Sequence, residues 1–396
     1  MTTTKEAVTG AREAARTRLP SLTSLRIIAA SLVFINHGLI YPLFTNADLN
    51  DAYKLIGHNT GTVGVSFFFI LSGFVLTWSA KPNDTTLGFW RRRFLKIFPN
   101  HVVVWLAVLA MMGVAGLPIM WGPTLWSLPL LQGWFPEATY HLFAVNGPTW
   151  SLSVELLFYA AFPLLLPLIL KIPAQRLWLW AGVVTVGGLL MPVVARLFLP
   201  EQPPSMLSTT LSWPQQWFVY FFPPIRIFEF VVGMIMARIV LSGRWIGLRP
   251  ILATLLLLAV YAATMGIDLI DGWHGLLLAP MALLIAAVAS SDVAGRTGVL
   301  TRPAMVWLGQ ISYAFFLVHV HVLFLIHAAF GGQFGVRGAY KPEQFGVLGG
   351  IALLVGVYLA SVVVAWLLYA LVEQPIMRNW SRSRQRRTAA DAQPAP

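Results

Sequence analysis

Long apolar segments with few charges are the feature that constrains this chain most. Only 11% of its residues are charged and 57% are hydrophobic, whereas about a quarter of a water-soluble domain is charged. An apolar helix of about 20 residues crosses the hydrocarbon core of a bilayer. We therefore predict an all-α, polytopic transmembrane helix bundle of about ten spans. The predicted spans lie near residues 25–44, 63–80, 99–118, 149–170, 177–195, 216–240, 250–267, 274–291, 304–329 and 347–372.

The basic residues indicate how the bundle is oriented. With a cytoplasmic N-terminus, the inner segments hold most lysines and arginines, and the outer loops hold acids such as Glu137 and Glu201. This is the positive-inside distribution, so both termini are predicted to be cytoplasmic and the protein to lie in the cytoplasmic membrane. Topology and anionic lipid headgroups account for the net charge of +12, and nucleic-acid binding is not expected. The first span is too long for a signal-peptide core and is expected to be a retained signal anchor.

Three regions make up the predicted domain organisation. A basic cytoplasmic segment (1–24) precedes one transmembrane domain (25–375), and a basic, disordered cytoplasmic tail (376–396) follows. The connection at 121–148 is rich in aromatic residues and prolines, and it is expected to pack as a re-entrant or interfacial segment. The chain has no cysteine, which excludes disulfides, zinc–thiolate sites and thiol nucleophiles.

Arg26 and His37 are ionisable residues within the first apolar span. Such residues are costly in hydrocarbon and are often functional. Their spacing is close to three helical turns, so they share one face of a helix and lie roughly 16 Å apart along its axis. His37 could act as a neutral base whose tautomer is fixed by Asn36 or by a carboxylate. The alternative is a histidine bonded to a backbone carbonyl, with Arg26 as a topological anchor.

The segment 89–99 is a basic run with interleaved aromatic residues, and it includes Arg92, Arg93 and Lys96. Guanidinium groups bind phosphate through two parallel hydrogen bonds. The run is therefore a candidate phosphate clamp. Its alternative is an ordinary cytoplasmic anchor in front of a span.

Ser151, Glu155 and Tyr159 follow one another at helical spacing in the fourth span, so they share one face. A carboxylate inside an apolar helix needs a proton or a partner. It is either a functional group or one member of a structural hydrogen bond between helices.

Two further groups of ionisable residues are expected to be structural or unpaired. Arg226 and Glu229 are three residues apart, which predicts a structural ion pair within one helix. His319 and His321 project from different sides of a helix, so no metal site is expected.

Several separated motifs occur in order along the chain: Arg26 with His37 after ten residues, GVSFFFILSGF at 64–74, the basic run ending at Pro99, PTWSLSVE at 148–155, LGQISY at 308–313 with His319, and EQP at 373–375. Read together, these segments resemble the acyltransferase family 3 membrane enzymes, from about residue 19 to residue 380. The chain departs from the family pattern at two places: Arg93 and Lys96 stand at the position of the family's paired arginines, and His321 stands where a proline usually follows the histidine that is His319 here.

The resemblance implies transfer of an acyl group, usually acetyl, from acyl-coenzyme A to a hydroxyl group. It implies His37 as the catalytic histidine, Arg26 and the basic run on the phosphates of coenzyme A, and Glu155 in the acceptor or proton network. Acyl-CoA would be a substrate, and no permanently bound cofactor or metal is implied. The residues expected to support the site or contact substrate are Asn36, Ser72, Trp150, Ser151, Ser153, Tyr159, Tyr313 and His319.

The acceptor is less constrained. The basic run and the opening Leu-Pro-Ser-Leu-Thr are similar to the macrolide 3-O-acyltransferases, which implies a small lipophilic acceptor. The alternative within the family is a cell-envelope polysaccharide or glycolipid. Rivals from other classes are a proton-coupled transporter or flippase, for which no inverted repeat is visible, and a non-catalytic membrane partner. Membrane lipids are expected partners, and the sequence leaves a homo-oligomer open.

Overall fold

The computed structural model describes residues 18–40, 43–81, 84–330 and 344–381 of the 396-residue chain. Within these ranges the chain is helical, and its β structure is limited to two isolated bridges. The predicted all-α class is confirmed. The α-helices are α1 Pro20–His37, α2 Ala47–Gly57, α3 Thr60–Trp78, α4 Thr86–Val114, α5 Trp121–Ser127, α6 Thr139–Leu142, α7 Trp150–Lys171, α8 Leu177–Phe198, α9 Trp213–Gln216, α10 Ile227–Leu241, α11 Pro250–Ala263, α12 Leu278–Val293, α13 Pro303–Ala329, α14 Val347–Leu368 and α15 Gln374–Trp380.

Eight helical segments of the described chain are long and apolar enough to cross a membrane. They correspond to eight of the ten predicted spans. The other two predicted spans coincide with the shorter helices α10 and α11, of 15 and 14 residues. The eight segments are Pro20–Ile40, Ala47–Trp78, Thr86–Val114, Gly147–Lys171, Ala174–Phe198, Trp273–Val293, Pro303–Ala329 and Val347–Trp380. The basic N-terminal segment lies outside the described residues up to residue 17, and the predicted tail lies outside them from residue 382. The prediction of disorder is wrong for residues 376–380, because they belong to α15.

Prolines explain two of the differences from the predicted spans. The span predicted at 216–240 is not one helix, because Pro223 and Pro224 form a 3₁₀ turn and α10 begins only at Ile227. The first helix begins at Pro20, since proline suits the first helical position. It ends at His37, which therefore lies at the C-terminal end of α1.

The packing of α1 against α13 determines where the ionisable residues of both helices meet. The two helices contact each other extensively, and their backbones are closest at Gly309, where a Cβ would lie 2.0 Å from the carbonyl oxygen of Thr23. Only glycine permits such an approach. The helices run side by side in the same direction, so Arg26 faces Ser312 and His37 faces His319.

A second close helix pair, α3 with α10, lies in the core. A Cβ on Gly73 would lie 1.9 Å from the carbonyl oxygen of Phe230, and one on Gly233 would lie 2.0 Å from that of Ile70. Reciprocal glycine contacts of this kind are typical of membrane helices, because small residues let the backbones meet.

The connection between α4 and α7 packs onto the bundle. It contains α5, α6 and a 3₁₀ turn at Gln132–Trp134. Leu130 and Gln132 are almost completely buried. This segment is therefore part of the protein interior, and its depth in a membrane stays a prediction.

Candidate active site

The imidazole rings of His37 and His319 are hydrogen-bonded, with His37 Nδ1 2.8 Å from His319 Nε2. On its other side, His319 Nδ1 lies 2.8 Å from the carbonyl oxygen of Phe316. A carbonyl can only accept, so His319 carries its proton on Nδ1 and accepts at Nε2. His37 then donates from Nδ1, which leaves the lone pair of a neutral His37 on Nε2. This is the state that a general base requires.

Asn36 does not take part in this hydrogen-bonded pair. Its amide donates to the carbonyl oxygens of Gly57, at 3.3 Å, and His58, at 2.5 Å. The expectation that Asn36 fixes the tautomer of His37 is therefore wrong. The amide instead connects the end of α1 to the start of α3.

Arg26 lies close to three helical turns before His37 on α1, at the same α1–α13 interface. Its Nε is 3.4 Å from Ser312 Oγ, and its guanidinium carbon is 5.8 Å from the centre of the Phe68 ring. The interface thus carries a cation at one level and two imidazoles at the other. The predicted common face of Arg26 and His37 agrees with this arrangement.

Glu155 accepts a hydrogen bond from the hydroxyl of Tyr159, four residues further along α7, as their helical spacing predicts. On α4, Arg93 faces the ring of Tyr159, and Lys96, one helical turn further on, has its Nζ 5.9 Å from the centre of the Tyr313 ring. Tyr313 follows Ser312, the residue that Arg26 contacts. These side chains therefore form one polar layer near Arg26. Its role in an acceptor or proton network stays a prediction.

The cations of the basic run differ in the partners they already have. Arg92 is ion-paired with Asp84, and Lys96 is ion-paired with Glu373. Arg91 donates to a backbone carbonyl oxygen at 2.7 Å. Anionic ligands would therefore compete with protein carboxylates for two of these cations.

Arg93 faces two aromatic rings. Its guanidinium carbon lies 5.6 Å from the ring centre of Phe89 and 5.7 Å from that of Tyr159. Its buried Nε has no hydrogen-bond partner in the described part of the chain. Arg93 and Arg26 are accordingly the arginines of this layer that no carboxylate pairs with in the described ranges.

Glu373 is a residue of the site to which sequence reasoning gave no role. It is buried, it is ion-paired with Lys96, and its second carboxylate oxygen accepts from Asn100 Nδ2 at 2.6 Å. The available signal was a single carboxylate near the end of the most apolar predicted span. That signal did not identify its partners, because they lie on α4.

The remaining expected residues of α3 and α7 make structural contacts. Ser151 Oγ donates to the carbonyl oxygen of Pro148 at 3.0 Å, and Ser153 Oγ accepts from the backbone N–H of Gly133 at 3.4 Å. Ser72 is half-buried beside the glycine contact of α3. Ser151 and Ser153 thus connect the start of α7 to its neighbouring loop. A contact with substrate stays a prediction for all three serines.

Arg226 and Glu229 form the structural ion pair predicted for them, with Arg226 Nε 3.0 Å from Glu229 Oε2. The fully buried guanidinium also lies 3.0 Å from His274 Nε2 and donates to Ser66 Oγ at 3.0 Å. Three aromatic rings lie within about 6 Å of it, those of Phe69, Trp150 and Tyr220. Trp150, expected near substrate, thus belongs to this network.

Comparisons with known proteins agree with the motifs. The model for the acyltransferase domain of acyltransferase family 3 matches residues 19–370. Acyltransferase MdmB of Streptomyces mycarofaciens is 38% identical, over 94% of this chain and 95% of its own length. Exopolysaccharide production protein ExoZ of Rhizobium meliloti is 28% identical, over 86% and 96%. Peptidoglycan O-acetyltransferase OatA of Listeria monocytogenes is 23% identical, over 92% of this chain and 56% of that protein.

No solved structure matches the chain significantly. The family match nevertheless covers nearly the whole helix bundle, including both helices of the histidine pair. The apolar helices that could cross a membrane lie within the same range or extend just beyond it. This chain therefore belongs to acyltransferase family 3, and it is an integral membrane O-acyltransferase.

Proposed function

We propose that the protein transfers an acyl group, normally acetyl, from acyl-CoA to a hydroxyl of a small lipophilic natural product such as a macrolide. His37 is the general base, and the enzyme works in the cytoplasmic membrane. The observation that carries this proposal is the hydrogen-bonded pair of His37 and His319. It supplies an imidazole whose Nδ1 proton is fixed and whose Nε2 is able to accept a proton.

The proposed reaction is a direct transfer. The acceptor hydroxyl oxygen attacks the thioester carbonyl while His37 Nε2 takes the hydroxyl proton. The carbon–sulfur bond then breaks, and the departing thiolate takes that proton from the imidazolium. The products are an ester and free coenzyme A, so atoms and charges balance. His319 holds the ring in position throughout, since it accepts from Nδ1.

The cations of the neighbouring layer suit a donor with several phosphates. Arg26 and Arg93 are free of carboxylate partners in the described ranges, and each can offer a guanidinium fork. Arg92 and Lys96 would exchange Asp84 and Glu373 for phosphate oxygens. The thioester would then extend from this layer toward His37.

The acceptor class rests on the resemblance to macrolide 3-O-acyltransferases. The names of ExoZ and OatA refer to exopolysaccharide and peptidoglycan, and the identity to these relatives, at 28% and 23%, is lower than the 38% identity to MdmB, whose name refers to neither. An envelope polysaccharide is therefore the second candidate acceptor.

The test uses membranes that contain the full chain, labelled acetyl-CoA and a panel of macrolide and polysaccharide acceptors. We expect acceptor-dependent release of coenzyme A and an acetylated macrolide by mass spectrometry. His37→Ala should lower this rate at least about 100-fold, because general-base catalysis contributes that much or more. The control is His58→Gln, which alters a half-exposed histidine paired with Asp268.

Three outcomes would contradict the proposal. Full activity of His37→Ala would show that His37 is not the catalytic base. Acetylation of polysaccharide alone overturns the acceptor class. Transport of a substrate without any release of coenzyme A favours the transporter alternative.

A further inference from the structure

Two buried carboxamides near the start of α7 have orientations that the surrounding hydrogen bonds fix. Gln132 is 1% exposed, and its Nε2 donates to Thr149 Oγ1 at 3.0 Å. That hydroxyl already donates to the carbonyl oxygen of Asn146 at 2.6 Å, so it can only accept from Gln132. The oxygen of the Gln132 amide must therefore point away. It has no partner among the described residues.

Asn146 repeats this arrangement. Its side chain is 1% exposed, and its Nδ2 donates to the carbonyl oxygen of Leu317 at 2.9 Å. A carbonyl oxygen cannot donate, so the amide cannot be flipped. Asn146 Oδ1 is buried and also lacks a partner within the described ranges. Each of the two amides thus presents an oxygen that can only accept a hydrogen bond.

His321 stands on the turn of α13 that Asn146 contacts. In an α-helix the carbonyl of residue 317 accepts from the backbone N–H of residue 321, and helical side chains lean toward the N-terminus, over the preceding turn. The His321 side chain therefore projects from the same turn of α13 that the Asn146 amide contacts. It is 7% exposed, and neither ring nitrogen has a hydrogen-bond partner in the part of the chain that the structure describes.

These groups select one kind of ligand chemistry. Buried polar groups are almost always hydrogen-bonded in proteins, so three such groups in one region indicate a binding site. Two amide oxygens require hydrogen-bond donors, and a neutral imidazole provides one further donor and one acceptor. Anions are disfavoured because both oxygens carry partial negative charge. Hydroxyl groups of a neutral molecule satisfy all three.

We propose that Gln132, Asn146 and His321 bind hydroxyl groups of the acceptor, remote from the hydroxyl that reacts. This inference rests on the proposed function and names the residues that determine which alcohol is bound as the acceptor. His321 lies two residues beyond His319, roughly 3 Å further along the axis of α13 and on another side of it. A multiply hydroxylated acceptor would present one hydroxyl to His37 and others to this cluster.

The experiment combines acceptor analogues with apolar variants of similar size. Wild-type enzyme is assayed with acceptors that each lack one non-reacting hydroxyl, and we expect at least one of them to show a KM about tenfold higher. Gln132→Met, Asn146→Leu and His321→Phe should raise the acceptor KM similarly and leave the KM for acetyl-CoA unchanged. In the matching variant, removal of the sensitive hydroxyl should cause little further loss.

Thr77→Val is the matched control, because Thr77 Oγ1 is also buried without a partner among the described residues but belongs to the far end of α3. It should keep the wild-type acceptor KM. If every deoxy analogue binds wild-type enzyme normally, the cluster holds structural water and the inference is overturned, whether or not the variants fold. Variants with an unchanged acceptor KM overturn it too. Absence of acyl transfer by wild-type enzyme from acetyl-CoA to any alcohol contradicts instead the proposed function.

Discussion

His37 obtains its hydrogen-bonding partner from a distant part of the chain, and that partner is a second histidine. The proton on His319 Nδ1 is held by the carbonyl oxygen of Phe316, and the opposite nitrogen accepts from His37. The position and tautomer of the His37 imidazole therefore depend on the hydrogen-bond acceptor that His319 Nε2 provides. In the proposed mechanism His319 is a positioning residue, because it acts through His37.

We predict that His319→Leu lowers kcat about 100-fold and leaves the KM for acetyl-CoA nearly unchanged. The leucine cannot accept from His37 Nδ1, so the base loses its fixed tautomer. His319→Gln should recover a large part of the rate, since its amide oxygen can accept in the same region. Initial rates against both substrates give the measurement. Equal rates in the two variants would show that the hydrogen bond is irrelevant.

Sequence periodicity predicted the residues of the site that share a helix, and it did not predict those that meet across helices. Arg26 with His37 and Glu155 with Tyr159 follow from helical spacing. The contact of His37 with His319 joins residues 282 positions apart, for which no local pattern exists. His319 was expected only through the family motif. Its bond to His37 was not.

Among the described helices, α3 and α10 make the most extensive contact with each other. Their backbones meet at Gly73 and Gly233, which fixes the turn that carries Arg226 and Glu229 against Ser66. An ion pair without solvent contributes little net stability, but removal of one partner leaves a buried charge uncompensated. Loss of one member of this ion pair is therefore expected to destabilise the helix pair more than loss of both members.

We predict that Arg226→Met or Glu229→Leu alone destabilises the protein by about 3–5 kcal/mol. The double variant should be less destabilised than either single variant, because no unpaired charge remains. Thermal unfolding in detergent, followed by loss of monodisperse protein, measures this order. Additive losses in the double variant would contradict the prediction.

Helix boundaries were predictable only in part. Hydropathy stays high from residue 216 to residue 240, so the pattern predicted one span there. The two prolines at 223 and 224 end that helix, since proline cannot donate and restricts the residue before it. Pro20 similarly makes α1 begin earlier in the chain than the span predicted from residue 25. In each case the proline, and not the length of the apolar segment, determines where the helix begins or ends.

The whole molecule has a predicted orientation that its composition makes easy to test. The chain has no cysteine, so a single introduced cysteine can be labelled without background. Lys171 and Glu201 are both exposed and flank α8 on opposite sides. The positive-inside distribution assigns Lys171 to the cytoplasm and Glu201 to the outer side.

We predict that Glu201→Cys reacts with a membrane-impermeant maleimide in intact cells, whereas Lys171→Cys reacts only after the cells are opened. Gel shift or fluorescence of the labelled protein provides the measurement, and unmodified protein is the control. The opposite labelling pattern would contradict the predicted topology, because it would show that the basic run lies on the outer side of the membrane.

Arg26 and His37 stand on one uninterrupted helix, roughly 16 Å apart along its axis. Under the proposed mechanism, a thioester can bind Arg26 through its phosphates and place its carbonyl at His37 only if these two parts of the donor are a comparable distance apart. We expect shortened thioesters without the nucleotide to reach His37 without being held by Arg26. The length of the donor, and not the identity of the alcohol, would then determine which thioesters react.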